Sequence, residues 1–384
     1  MGWVRTKALT MEQPSAPSLT RWLFAGVLMA IIGVLLFILH ASGTVKIISV
    51  INIWWVSLMP AGCWLLIFCL RCYLWDRDLK AHQFLLKEAE YGQQRWEDWA
   101  GRWLAVLSSA VLLPDHISAA HWGSERQKYG LARRINYLPA EEPVQLSAMH
   151  ALLTSIEERV QCLPEELPLY VTLITDNPSP ELTSSFSNLW KEHIPGRAVP
   201  DDITVTGSFS LSEVEERLKQ PVLTVNLLLV IQLNGGTAYS DGLAVLLLTS
   251  DDVAQKYHLP HSSRLLRPMP LDMTNFEDDI TLFLETQTVA CHTPSVIGDA
   301  KKWTERSAAL ITQGGKMHTP WKAEDIALLE KWCGIPGPAA PWLLTALAAD
   351  LVSLRKQPLL ALFSSEQEHF ISTITPGSED EYTG

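Results

Sequence analysis

The sequence predicts an N-terminal two-helix transmembrane hairpin followed by a cytoplasmic α/β domain, on three observations. Two apolar runs free of Asp, Glu, Lys and Arg stand near the start, "WLFAGVLMAIIGVLLFILH" over 22–40 and "VINIWWVSLMPAGCWLLIFCL" over 50–70. Basic residues gather on the outer flanks of the pair. From Pro143 onward, short apolar runs bounded by turn residues take turns with segments of helical periodicity, the pattern of strands and helices that share a sheet.

At 1.5 Å rise per residue, each apolar run is long enough for a hydrocarbon core of about 30 Å. Tryptophans in the second run suit the interfaces, and Pro60 is a tolerable kink in a membrane helix. The first run exceeds the apolar stretch of about 7–15 residues in a cleaved leader, so the small residues of "HASG" after it are not read as a processing site. Arg5, Lys7 and Arg21 precede the hairpin, only Lys46 lies between the spans, and Arg71, Arg77, Lys80 and Lys87 follow. The basic bias places both termini in the cytoplasm, at a bacterial inner membrane with two spans. The expected organisation is a cytoplasmic tail over 1–21, the hairpin over 22–72, a juxtamembrane helix and linker over 73–142, the α/β domain over 143–376 and an acidic tail over 377–384.

Hydrophobic residues make up 47% of the 384 and there are 15 tryptophans, a surplus concentrated in and beside the spans. The net charge of −12 excludes a phosphate-tracking surface, so no nucleic acid is expected as partner. Cys63, Cys69 and Cys72 sit in or beside the second span, while Cys162, Cys291 and Cys333 are scattered and form no disulfide framework.

Helical periodicity extends from Leu74 to about Leu113, with Trp96, Trp99 and Trp103 on one face, and Pro114 ends it. A polar linker to Pro143 follows. The domain then reads as helix "VQLSAMHALLTSIEERVQCL", strand "LPLYVTLIT", helix "PELTSSFSNLWKEH", strand "DDITVTGSF", helix "SLSEVEERLKQ" and the continuous apolar strand "LTVNLLLVIQL", which suits a central position covered on both faces. "NGGTAYSDG" turns the chain into an antiparallel return, "LAVLLLTSD". Helices are expected in "NFEDDITLFLETQTV", "TERSAALITQ" and "PWLLTALAADLVSLRKQ", and two closing strands in "PLLALFSSEQEHFISTIT".

From Leu223 onward this order of features resembles the C-terminal half of the thiolase-like superfamily, the fold of β-ketoacyl synthases. "YSDGLAVLLLTSDD" is similar to their small-residue strand pair, "CHTPSVIGD" to their histidine loop, "CGIPGPAAPWLLTALAADL" to their second active-site loop, and "PLLALFSSEQEHFISTIT" to their closing hairpin. The resemblance implies acyl condensation, which needs a cysteine at a helix N-terminus and two polar groups that polarise a thioester carbonyl. His292 would be one of these, with Asp299 in the Gly-Asp position. Gly337 and Pro338 stand where a Gly-His pair belongs, and the turn "ITDNPSPEL" holds no cysteine. The resemblance is therefore to a degenerate member.

His292 and Asp299 are the two weak catalytic candidates. Each also has a structural reading, His292 as a donor to a backbone carbonyl and Asp299 as a helix N-terminal residue. Cys291, His292, His318 and Cys333 match no zinc spacing, and "LNGGTAYSDG" lacks the Lys and Ser/Thr that complete a phosphate loop, so no metal and no cofactor is expected. The layout looks like bacterial inner-membrane accessory or immunity proteins of type VI-like secretion systems. The expected function is non-catalytic: a bilayer-anchored chain whose domain binds a protein partner. The alternative is a membrane-associated acyltransferase acting on acyl thioesters. Spans without a charged residue offer no ion path, so a transporter ranks last.

Overall fold

A computed structural model of the protein describes residues 2–43, 52–122, 129–139, 143–219, 222–365 and 368–378. It divides into a helical unit, residues 5–95, and an α/β unit made of the first four residues together with 96–384.

In the helical unit, α1 (Leu19–Ala41) and α2 (Ile53–Ala100) are long and apolar enough to cross a membrane. Glycine lets them approach. A Cβ at Gly33 would lie 2.5 Å from the Ser57 carbonyl oxygen, and one at Gly26 would lie 2.8 Å from the Trp64 ring, the close helix contact that small residues permit in membranes. Trp64 stacks on Phe68 at 5.6 Å. Lys46, Val50 and Ile51, on which the loop charge and the start of the second span were read, lie outside the described residues.

The α/β unit contains β1 (Trp103–Leu112), α3 (Val144–Gln161), β2 (Leu169–Thr175), α4 (Glu181–His193), β3 (Asp202–Thr206), α5 (Ser212–Lys219), β4 (Val225–Gln232), β5 (Gly242–Ser250) and α6 (Asp251–Lys256). There follow β6 (Ser263–Leu266), β7 (Met269–Pro270), α7 (Phe276–Thr286), β8 (Val296–Gly298), α8 (Ser307–Lys316), β9 (Ile326–Leu328), α9 (Leu329–Cys333), α10 (Ala340–Arg355), β10 (Leu359–Ser364) and β11 (His369–Pro376). The sheet order is β3-β2-β4-β5-β1-β6-β11-β10-β8-β9, with β7 beside β11.

This order is a duplication. Leaving out the two-residue β7, the first five strands lie in the order third, second, fourth, fifth, first, and the last five repeat it from the far edge. In each half the fifth strand runs antiparallel to its neighbours while the second, third and fourth are parallel. The connecting helices correspond as well, α3 to α7, α4 to α8 and α5 to α10. The halves join where β1 pairs antiparallel with β6, from Trp103 opposite Leu266 to Val106 opposite Ser263.

Three apolar clusters fill the layers. One face of each half encloses α5 and α10, whose Val214, Leu218, Trp342 and Leu347 pack on Val106, Leu228 and Leu246 from one half and Phe363 and Ile374 from the other. α3 and α4 cover the outer face of the first half, and α7 and α8 that of the second. α10 lies between two sheet faces, which is why "APWLLTALAADLV" is apolar almost all round instead of carrying one stripe.

The structure corrects the helical reading of 74–113 and the domain start at 143. The helix ends at Ala100, and Trp103–Leu112 is a strand between β5 and β6. Its residues 104–107 are all buried and alternate between two clusters, Leu104 and Val106 in one and Ala105 and Leu107 in the other. The last turn of α2 belongs to the α/β unit, where the Arg267 Nε donates to the Trp99 carbonyl at 3.0 Å and the Gln287 Nε2 to the Ala100 carbonyl at 2.9 Å. Such donors satisfy helix-end carbonyls that would otherwise stay orphaned. Trp3 enters the same cluster, 8% exposed, edge-on to Trp99 at 5.0 Å and beside Phe283. The presumed linker is ordered at 129–139 and is bound to the domain, Ile335 N–H donating to the Leu131 carbonyl and Ile135 N–H to Asp241. At the other end Ser378 is buried, its hydroxyl 3.0 Å from His261 Nδ1, so the described start of the acidic tail is part of the fold. Residues 379–384 lie outside the described residues.

A chain beginning at Ala140 would lack β1 and leave β5 and β6 without their shared partner. Such a fragment is expected to be insoluble or to unfold without a cooperative transition in urea, as monitored by circular dichroism. A cooperative melt from it would show that the two halves fold without their joining strand.

Candidate functional site

Equivalent strand-to-helix turns of the two halves meet at a cleft of 440 Å³. Ser208, Phe209, Ser210 and Leu211 come from the turn after β3, Pro338 and Pro341 from the approach to α10, and Phe363, Ser364, Ser365, Glu368 and Phe370 from the β10–β11 hairpin. Three contacts fix the walls. Trp342 Nε1 donates to the Phe209 carbonyl at 2.6 Å, which ties the first half's turn to α10. Gln232, at the end of β4, accepts from Ala339 N–H at 3.0 Å and donates to the Ser240 carbonyl at 2.7 Å. A Cβ at Gly337 would crowd the Gln232 side-chain amide, so glycine immediately before Pro338 leaves the room for this approach.

The amide donors at the N-termini of α5 and α10 are committed. Ser210 caps α5 by accepting from Ser212 N–H at 3.1 Å, and the Glu213 and Val214 amides donate to the carbonyls of Ser210 and Leu211. At α10 the Ala340 amide donates to the Gly337 carbonyl, Trp342 N–H to the Ala339 carbonyl, and Pro341 has no N–H. The Ser210 hydroxyl donates to Glu368 Oε2 at 2.6 Å.

Asp299 lies behind this wall, fully buried at the carboxyl end of β8. Its carboxylate accepts from Trp303 Nε1 at 2.9 Å, from the Ser364 hydroxyl at 2.6 Å and from the Ser364 amide. It thus pins the ends of β8 and β10 together. A Cβ at Gly298 would meet Trp303 at 2.9 Å, which explains the glycine before it. Burial pushes the Asp299 carboxyl up to about 6, against the three hydrogen bonds that pull it down. The sequence reading as a helix N-terminal residue is replaced by this strand-end staple.

His292 is far in the fold from the cleft. It ends the short 3₁₀ turn Thr288–His292, before β8 and so at the strand's opposite end, where it is exposed with Nδ1 3.4 Å from the Thr288 carbonyl. The two candidates therefore flank a three-residue strand and do not converge. The turn of the first half equivalent to that before α10 is "GSFSLS" rather than "ITDNPSPEL", and it holds Ser208 and Ser210 with no cysteine. Cys162 is an exposed C-cap, Cys333 is buried in α9, and burial pushes the half-buried Cys291 thiol up. Among the described residues no three His, Cys, Asp or Glu side chains gather to hold a metal ion. The "LNGGTAYSDG" turn is occupied by carboxylates: Asp176 accepts from Asn234 N–H at 2.7 Å and from the Tyr239 hydroxyl at 3.2 Å, and Asp241 pairs with Arg134.

Asp350 on α10 is partly buried, accepts from the Ser109 hydroxyl of β1, and is likewise pushed up to about 6 by burial. Both carboxyls hold their proton in the folded chain to about pH 6 but lose it near pH 4 once exposed. The folded state binds more protons in that window, so stability falls as pH rises through it, by about 2–3 kcal/mol per group. The detergent-solubilised protein is expected to melt higher at pH 5 than at pH 7.5. Asp350→Asn keeps an acceptor for Ser109 and removes the charge, so it should raise Tm at pH 7.5 and by a smaller amount at pH 5. A loss at both values would contradict the burial argument.

No protein-family model matches the sequence, and no curated protein matches it. Solved structures do resemble it. The ketosynthase from module 1 of the bacillaene synthase of Bacillus amyloliquefaciens FZB42 is 10% identical and aligns over 72% of this chain and 76% of its own, with a TM-score of 0.51. The 3-oxoacyl-[acyl-carrier-protein] synthase III of Aquifex aeolicus VF5, 15% identical, aligns over 71% and 99% with a TM-score of 0.43. OleA of Xanthomonas campestris, 10% identical, aligns over 72% and 99% with a TM-score of 0.45. The likeness to the bacillaene ketosynthase, taken with the duplicated strand order, makes the fold of the α/β unit thiolase-like.

Proposed function

We propose that the chain is a membrane-anchored binding protein whose thiolase-like domain offers its cleft to a protein partner, as an accessory or immunity component of a bacterial, type VI-like envelope secretion system. The observation that carries this reading is the state of the cleft. Among the described residues its lining has hydroxyls, one carboxylate and apolar side chains, without a thiol or an imidazole, and the amides of both helix N-termini are held by acceptors within the chain. Acyl transfer from a thioester needs a nucleophile with a base and free donors for the oxyanion. Phe209, Phe363 and Phe370 with Pro338 and Pro341 instead form an apolar wall with a polar rim, the make-up of a protein contact.

Placement at the inner membrane is supported by the two apolar helices and by Trp3. Because Trp3 packs inside the α/β unit, the segment before α1 and the domain after α2 belong on one side of the bilayer, which two crossings satisfy. The basic flanks make that side the cytoplasm.

One contact favours the enzyme alternative: the Ser210 hydroxyl donates to Glu368 inside the cleft, a serine and carboxylate pair. Two measurements separate the readings. Ser208 is exposed at the cleft, so Ser208→Trp should block it without unfolding the domain. Proteins co-purifying from solubilised membranes with the native chain should be lost with that variant and kept with Ser210→Ala. Incubation with acyl-CoA should leave no ester on Ser210 by peptide mass spectrometry, whereas an ester there, absent from a Glu368→Gln variant, would establish the acyltransferase and overturn the binding reading.

A further inference from the structure

A second cavity, of 230 Å³, opens at the other end of the first half's sheet and is lined by Leu104, Tyr170, Arg217, Val222, Thr224, Asn226 and Ser250. Strand register explains why these meet. Tyr170 stands opposite Asn226 across β2 and β4, and Leu104 opposite Ser250 across β1 and β5. Thr224 and Asn226 precede Leu228 and Val230 at alternate positions, so they share the sheet face that packs on α5. That face is apolar from Leu228 onward and polar at its amino end, and Arg217 on α5 lies over the polar end.

The arginine lacks a counter-charge. Arg102 pairs with Asp251 and Asp252, Arg133 with Asp115 and Arg134 with Asp241, and Arg197 donates to the carbonyls of Leu163, Pro164 and Leu167. Among the described residues, Arg217 makes no ion pair and no hydrogen bond, and its recorded neighbours are the Phe209 ring at 5.7 Å and the field of Glu213. Burial pulls its guanidinium below the ordinary arginine range. The hydroxyls of Tyr170 and Thr224 and the Asn226 amide have no partner among the described residues either. Ser250 accepts from Val253 N–H, which leaves its own proton to give. A half-buried cation ringed by uncommitted donors is costly unless an anion completes it.

We propose that this cavity binds a tetrahedral phosphate-type oxyanion, gripped by the Arg217 guanidinium and by donors from Asn226, Thr224, Ser250 and Tyr170. A guanidinium matches such an oxyanion through two parallel N–H bonds. At about 30 Å³ per water the space holds one such group with a few waters and is too small for a nucleotide. The same chemistry is presented by free phosphate and by the headgroup of an anionic phospholipid. The proposal does not rest on the cleft reading: the two linings share no residue, and Phe209 of the cleft meets this site only as the ring beneath Arg217.

The test uses the full chain in non-ionic detergent. Titration with inorganic phosphate, followed by calorimetry and by Tm, should show saturable binding that weakens at least tenfold in Arg217→Gln, a variant that keeps much of the arginine stem. In a second arm, phosphatidylglycerol retained through gel filtration is counted by native mass spectrometry, and it too should fall in that variant. Phosphate binding alone identifies a free ion, and retained lipid alone a headgroup. Should Arg217→Gln unfold, Asn226→Asp supplies the same readout, because an added carboxylate would pair with Arg217 and repel the anion. Absence of saturable binding in both arms, or equal binding by a folded variant, would overturn the proposal.

Discussion

The α/β unit depends on the pairing of β1 with two partners. This strand pairs with β5 along one edge from Leu104 to Leu112 and with β6 along part of the other, and in doing so it turns two similar half-sheets into one. Every later feature inherits this. α5 and α10 are buried together because the joined halves present the same face to a common interior, and the cleft exists because their equivalent turns are thereby brought into contact. The strand is also the first element after α2. Arg267 and Gln287, which receive the last carbonyls of that helix, stand on the segment following β6 and at the end of α7, so the entry of the chain is fixed by the second half.

Sequence patterns recovered the elements whose period is unambiguous. β4 and β5 are continuous apolar runs covered on both faces, and α10 is a long run with helix-forming residues, so each was legible with its partner strand or its burial. β1 was not. "WLAVLSSAVL" follows Trp96 and Trp99 at a spacing that continues a helical stripe through Trp103, and a short apolar run does not reveal its period by itself. Tertiary pairing with β5 decided the outcome. β8 and β9, three residues each, are below the length at which alternation can be seen, and they are strands because β10 and β8 offer them edges.

The site reading failed for the same reason. Spacing between His292 and Asp299 is fixed by the sequence, but whether they share an end of the sheet depends on β8 passing between them, and that strand is too short to be read. Asp299 was identifiable as a residue of interest, although its physical role comes from Ser364 and Trp303, which approach from other segments. Ser210 and Glu368 are 158 positions apart and become neighbours only through the duplication. Their local signals, a cap and a hairpin turn, are common in every α/β chain. The resemblance read from the C-terminal half singled out a loop whose Pro338 lines the cleft but chose the turn after β2 in place of the turn after β3, because the omission of β1 shifted the strand count by one.

That shift also bears on where the helical unit ends and the α/β unit begins. The division at residue 95 leaves Trp96, Trp99 and Ala100 with the sheet, and Trp3 with them. Burying an indole of this size contributes about 1.5–3 kcal/mol, and here the partners are Trp99 from the end of α2 and Phe283 from α7. A residue that precedes α1 therefore closes against the residues that follow α2's apolar stretch. The contact constrains the chain on both sides of the helical pair: the segment before α1 and the segment after α2 must come together for this core to form.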